Sequence, residues 1–145
     1  AATIGAVLAG QSNKIEDSLN IFGQELGMAY QLIDDALDYS SSFEIMGKDM
    51  GNDLSEGKPT LPLIYALEKA NPEMQIIIRD AITKKDASHC NKIKDCIEQT
   101  GSLALTESKA RESSNKAIDA LKQLPNNQYK EALISLAEFT VRRSF

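Results

Sequence analysis

Between Lys14 and Tyr39 the apolar residues recur at helical spacing, and this run decides what the chain can fold into. At about 100° per residue, with Asp34 set to 0°, Ile15, Leu19, Phe22, Leu26, Tyr30, Ile33 and Leu37 fill an arc from roughly 220° to 320°. A stripe of this kind must be buried against other helices. No segment elsewhere alternates convincingly with period two. The pattern therefore predicts an all-α fold of long antiparallel helices, joined by short loops and one long loop.

The opposite side of the same helix is acidic. On that wheel Asp38 falls near about 40°, Gln31 near 60° and Asp35 near 100°. Three carboxylates and an amide thus share a face the core does not need. They lie in the last turns, because Ser40-Ser41-Ser42 and Gly47 follow. Each acid at a helix C-terminus costs about 0.3–1 kcal/mol against the helix dipole, and mutual repulsion adds to this. A bound hard cation reverses the sign. Oxygen ligands without His or Cys nearby suit Mg²⁺, Mn²⁺ or Ca²⁺ and argue against zinc. The plain alternative is a solvated acidic face. Gly23 and Gly27 flank the arc at roughly 340° and 20°. Each costs about 1 kcal/mol inside a helix, so another helix or a ligand approaches closely there.

Ser40 to Pro59 reads as one polar loop, long enough to suggest a functional role. It carries Lys48, Asp49, Asp53 and Lys58 among Gly47, Gly51 and Gly57. Lysines on a loop beside a carboxylate-bound dication suit a phosphorylated ligand, whose oxygens metal and lysines would share. A diphosphate leaving group needs that neutralisation as its bond breaks.

The rest of the chain reads as further helices. Ala1 to Ala9 ends at Gly10. Thr60 caps a helix through Ala70, with Pro62 in its first turn, and Asn71-Pro72 opens another that ends near Lys84-Lys85. Asp86 is the expected cap of a helix with Ile93, Cys96 and Ile97 inward, and Ser102 starts one reaching Leu124. A last helix holds Tyr129, Leu133, Leu136, Ala137 and Thr140. A net charge of −5 gives no case for nucleic-acid binding. No stretch approaches the about 20 apolar residues of a membrane span. Cys90 and Cys96 suggest neither a disulfide framework nor a metal site, which points to inert thiols in a reducing cytoplasm. His89 reads as a surface residue, and neither a P-loop, a Rossmann glycine pattern nor an EF-hand loop is present. The apolar run begins at residue 1 with no initiator Met and no cap, so a fragment of a longer protein is expected.

Taken together, Gly27-x-x-Tyr30-Gln31-Leu32-x-Asp34-Asp35-x-x-Asp38-Tyr39 and Gly47-Lys48-x-x-Gly51-x-Asp53-Leu54-x-x-Gly57-Lys58-x-Thr60-Leu61-Pro62 resemble the trans-prenyl diphosphate synthases. The match is to their second aspartate-rich motif and the loop after it. Gly57 to Pro62, with Ala132-Leu133-Ile134-x-Leu136-Ala137, is most similar to long-chain bacterial members of the octaprenyl type. The resemblance covers essentially all 145 residues, as the C-terminal half of a single isoprenoid-synthase domain. It implies an all-α fold around a cavity, and condensation of an allylic diphosphate with isopentenyl diphosphate to a long-chain polyprenyl diphosphate, such as a quinone side chain. It implies Mg²⁺ held by Asp34, Asp35 and Asp38, with Gln31 beside the allylic substrate and Lys48 on the diphosphate. Asp34, Gln31 and Lys48 become the expected catalytic residues. Lys58 binds substrate or orders the loop, and Arg142 and Arg143 resemble basic residues of the family's C-terminus. A cytoplasmic homodimer is expected.

The departures bear on activity. The family's first DDxxD, the arginines after it and its Lys-Thr pair do not occur in these residues. Half an active site, inactive alone, is the resulting expectation, and product length is not legible. A terpene cyclase would not require Gly57 to Pro62. A non-catalytic subunit of a heteromeric synthase would explain a half-site, but would not require Gln31, Asp34, Asp35, Asp38 and Lys48 together.

Overall fold

The structure, a computed structural model, describes residues 2–40 and 52–142. Every regular element among them is helical: α1 (Ala2–Leu8), α2 (Asn13–Leu37), α3 (Asn52–Glu56), α4 (Leu61–Lys69), α5 (Pro72–Lys84), α6 (Cys90–Gln99), α7 (Ser102–Ala120), a 3₁₀ turn (Leu121–Gln123) and α8 (Gln128–Arg142). No described helix is long and apolar enough to cross a membrane. The chain divides into two compact units, Ala1–Gln31 with Lys109–Ser144, and Leu32–Ser108.

In the first unit Phe22, Ala117, Leu121 and Ala137 form the buried centre, with Leu19, Leu26, Leu133 and Ile134 packed on it. Ser114 Oγ donates to the buried Ala137 carbonyl at 2.8 Å, fixing α7 to α8. The two glycines of α2 part company here. A Cβ on Gly23 would stand 3.2 Å from Cβ of Ala2, so a helix approaches there, whereas Gly27 has nothing within 4 Å. Tyr30, at the edge of the expected stripe, is 47% exposed, and Tyr129 and Leu136 of α8 are exposed too.

The second unit packs Tyr39, Leu54, Leu63, Ala66, Ile78, Ala81, Ile93 and Ile97 into one core. α4 and α6 lie against α5 and against each other, and α3 lies on α5. Three expectations need correction in this unit. Residues 40–59 are not loop throughout, because α3 interrupts them. The cause is Leu54, which is wholly buried and anchors one helical turn. Gly57 ends that turn at φ +75°, with its N–H on the Leu54 carbonyl and the Lys58 N–H on the Asp53 carbonyl. Asp86 does not cap α6: it accepts from the N–H and hydroxyl of Ser88 in a turn of its own, and α6 starts at Cys90. The helix from Ser102 tightens to 3₁₀ after Ala120 rather than reaching Leu124 as α-helix. Asn71 is the cap expected, accepting from Met74 N–H at 2.9 Å with Pro72 behind it.

Candidate metal and diphosphate site

The acidic end of α2 is not a solvated face. Asp34 and Asp35 are half-buried, and Asp38 is only 7% exposed. The reason lies in the helices that follow. Asp38 Oδ2 accepts the Asp53 N–H at 3.2 Å and is also bonded by the Asn52 N–H, so it receives the first turn of α3. Asp35 accepts the N–H of Leu61, the first residue of α4. α4 needs that outside acceptor. Pro62 has no N–H to cap, and the Thr60 side chain occupies the cap position without bonding its own helix.

Burial therefore comes with charge. Desolvation pushes the Asp35 carboxyl above the usual carboxylate range, and the charge of Asp53 adds to this, followed by Asp34 and Asp38. The Leu61 N–H only partly offsets the rise. Asp38 is raised too, by burial first, with the Asp53 N–H opposing and the Asp53 carboxylate reinforcing. Asp53 is thus a fourth carboxylate of the cluster, which reading the loop as unstructured hid. Its signal was its place four residues before Gly57, the register in which a glycine-ended turn folds Lys58 back over it.

Lys58 does fold back. Its Nζ lies 3.2 Å from Asp53 Oδ1 and pairs with Glu56 as well. These two acids raise its pKa, and it remains largely exposed. Gln31 is exposed one turn before Asp34 on α2. Lys48 and Arg143 lie outside the described residues. Arg142 pairs with Glu138 at 3.1 Å on the surface of α8. His89 is exposed, as expected, and Cys90 and Cys96 are free and buried, both thiols pushed up by burial.

No three His, Cys, Asp or Glu side chains form a ready-made metal cage among the described residues. The donor set still fits a hard dication. All its atoms are oxygens, two of the acids are held above their ordinary range by burial and by the charge of Asp53, and Lys58 is paired with Asp53 and Glu56. Mg²⁺ is usually held by one or two carboxylates, with phosphate and water completing the shell, so a protein cage is not required.

The family model described as polyprenyl synthetase matches residues 1–100. Octaprenyl diphosphate synthase of Escherichia coli (strain K12) is 43% identical over 144 residues, covering 99% of this chain and 45% of that protein. The crystal structure of a polyprenyl synthase from Caulobacter crescentus CB15, complexed with calcium and isoprenyl diphosphate, superposes with a TM-score of 0.86 at 36% identity, over 99% of this chain and 44% of that one. A decaprenyl diphosphate synthase from Rhodobacter capsulatus gives a TM-score of 0.89 at 28% identity, over 99% and 45%. This chain spans about half the length of the relatives it matches.

Proposed function

The chain belongs to the polyprenyl synthetase family, and on that premise we propose that it forms the diphosphate-handling half of a long-chain prenyltransferase. The reaction proposed is condensation of an allylic diphosphate with isopentenyl diphosphate. The observation that carries this reading is the gathering of Asp35, Asp38 and Asp53 around the starts of α3 and α4, with Lys58 folded onto the cluster.

Each residue has a part in it. Asp34, Asp35 and Asp38 would hold a divalent cation, for which we propose Mg²⁺. When bound, the cation neutralises the diphosphate while its bond to carbon breaks. Lys58 stands within one side chain's reach of that charge and is poised between its acids and an incoming phosphate. Gln31, exposed one turn earlier on the helix, orients the allylic substrate in this reading. Lys48 belongs to it as a diphosphate ligand by resemblance alone. The neighbouring structure that holds calcium and isoprenyl diphosphate supports divalent-metal use. A cytoplasmic homodimer supplying quinone side chains completes the proposal.

The chain carries one acidic cluster where the resemblance calls for two, so residues 1–145 alone should not turn over. The test is pyrophosphate release from farnesyl and isopentenyl diphosphates, with Mg²⁺ titrated. The full-length gene product should be active and the 145-residue segment inert. Sustained Mg²⁺-dependent turnover by the segment would refute the divided site, and a full-length product without turnover would refute the prenyltransferase reading.

A further inference from the structure

Glu56 has no part in the chemistry above, yet it holds Lys58 more closely than the cluster does. Lys58 Nζ lies 2.5 Å from Glu56 Oε2 and 3.2 Å from Asp53 Oδ1. Helical spacing does not produce the first pair, because side chains two apart on a helix do not face each other. Gly57 between them produces it: at φ +75° it follows the end of α3 and swings Lys58 back toward both acids. The two partners differ in setting. The Asp53 side chain is 21% exposed and belongs to the cluster, whereas that of Glu56 is 52% exposed. Lys58 thus has an inner and an outer anion. A dication on the cluster offsets the charge of Asp53 and weakens the inner hold, which leaves Glu56 as the stronger competitor for the ammonium. Nor is Glu56 left bare when Lys58 moves. The Lys85 side chain passes beside Gly57, its Cγ 3.0 Å from where a Cβ would stand, and its charge acts on Glu56 as well.

We propose that Glu56 is a positioning residue for Lys58: it holds the ammonium in reserve while no diphosphate is bound, and competes for it when pyrophosphate must leave. The inference rests on the metal-and-diphosphate reading of the cluster. Glu56 acts through Lys58 and touches neither metal nor substrate. No covalent bond changes in the exchange, in which the ammonium trades a carboxylate oxygen for a phosphate oxygen. Removal of the Glu56 charge should therefore tighten pyrophosphate binding, and only while Lys58 is present. A purely structural ion pair behaves otherwise, since its loss lowers stability and leaves binding equal or weaker. Simple repulsion between Glu56 and the anion would act with or without Lys58.

The experiment uses the full-length gene product, inorganic pyrophosphate and Mg²⁺ in calorimetry, with melting measured alongside. Glu56→Gln should bind pyrophosphate about two- to fivefold more tightly, the scale of one exposed ion pair, at an unchanged melting temperature. In turnover it should be inhibited by added pyrophosphate at a correspondingly lower concentration. Lys58→Met should bind more weakly than wild type, and adding Glu56→Gln to it should bring no gain. Equal or weaker binding in Glu56→Gln overturns the proposal. So does the same gain in the Lys58→Met background, which is bare repulsion. Wild-type affinity in Lys58→Met overturns it too, because the lysine would then not reach the diphosphate. If the wild-type protein binds no pyrophosphate with Mg²⁺, the functional reading falls and the role of Glu56 with it.

Discussion

Gly57→Ala tests whether the turn that brings Lys58 back over Asp53 is as constrained as its geometry indicates. Gly57 sits at φ +75°, and a Cβ there would meet the Ile82 carbonyl oxygen at 2.8 Å and Lys85 Cγ at 3.0 Å. The lysine can rotate away, but the carbonyl is part of α5 and cannot. Two costs are therefore separable. A left-handed conformation costs a non-glycine residue roughly 1–2 kcal/mol. Forcing a methyl against fixed backbone adds about 1–3 kcal/mol more. Gly101 supplies the control within the same unit, since it has φ +67° with nothing within 4 Å of its Cβ position. Gly101→Ala should lose only the conformational part, and Gly57→Ala should lose about 2–5 kcal/mol in all. Urea unfolding of both variants at equal m-values reads the difference directly. The turn also sets Lys58 against Asp53, so Gly57→Ala should raise the allylic KM and Gly101→Ala should not. Equal losses within about 0.5 kcal/mol, the usual additivity error, would refute the argument from the Ile82 carbonyl.

Other expectations follow from the same cluster and core. Asp34→Ala in the full-length gene product should lower kcat by at least about tenfold, the scale of one lost charge-assisted interaction, with little change in melting; wild-type turnover would remove Asp34 from the site. Asp35 has a raised pKa when folded, so its charge opposes folding: stability is greatest below the ordinary carboxylate range and falls as pH rises through the raised value. Metal-free Asp35→Asn, which keeps an acceptor for the Leu61 N–H, should therefore gain on wild type as pH rises from acid to neutral, and a constant melting difference across that range would count against the burial argument. Leu54→Ala empties a wholly buried site under α3 and should cost about 2–5 kcal/mol in denaturant unfolding; a loss below 1 kcal/mol would mean that α3 is not anchored by Leu54.

The helical class was legible because α2 keeps one apolar stripe over its whole length, and Phe22 and Ile33 of that stripe are buried as expected. Asn71-Pro72 was legible because the cap and the proline act locally, through one side-chain bond and a missing N–H. What failed depended on distant partners. Asp38 looked solvent-facing on the helical wheel, yet the first turn of α3 covers it. A wheel records one helix and knows nothing of a segment fifteen residues later. α3 itself was missed because a five-residue helix has no periodicity to read, and its one strong signal, Leu54, stood among polar neighbours. Asp86 satisfied the rule for a cap, but it spends its oxygens on Ser88 two residues on, and the helix starts later.

The acids at the end of α2 raise a physical question that the surrounding helices largely answer. A helix C-terminus is a poor place for carboxylates, and here Asp38 is buried and Asp35 half-buried. Backbone donors supply part of the compensation: Asp38 takes two N–H groups from the start of α3, and Asp35 takes one from the start of α4. Each carboxylate has about four lone-pair sites, so these bonds leave oxygens to spare. The same bonds set the direction in which the spare oxygens point. Yet the donors do not finish the task, because both groups stay above their ordinary range, and Asp53 arrives with α3 as a further negative charge. Lys58 comes with it but is shared between Asp53 and Glu56. A fold selected for stability alone would have reduced this charge, for example with Asn at position 35, which keeps an acceptor for the Leu61 N–H. Keeping the charge while fixing its geometry makes sense when a dication completes the balance, and a dication with open coordination positions is what a diphosphate requires.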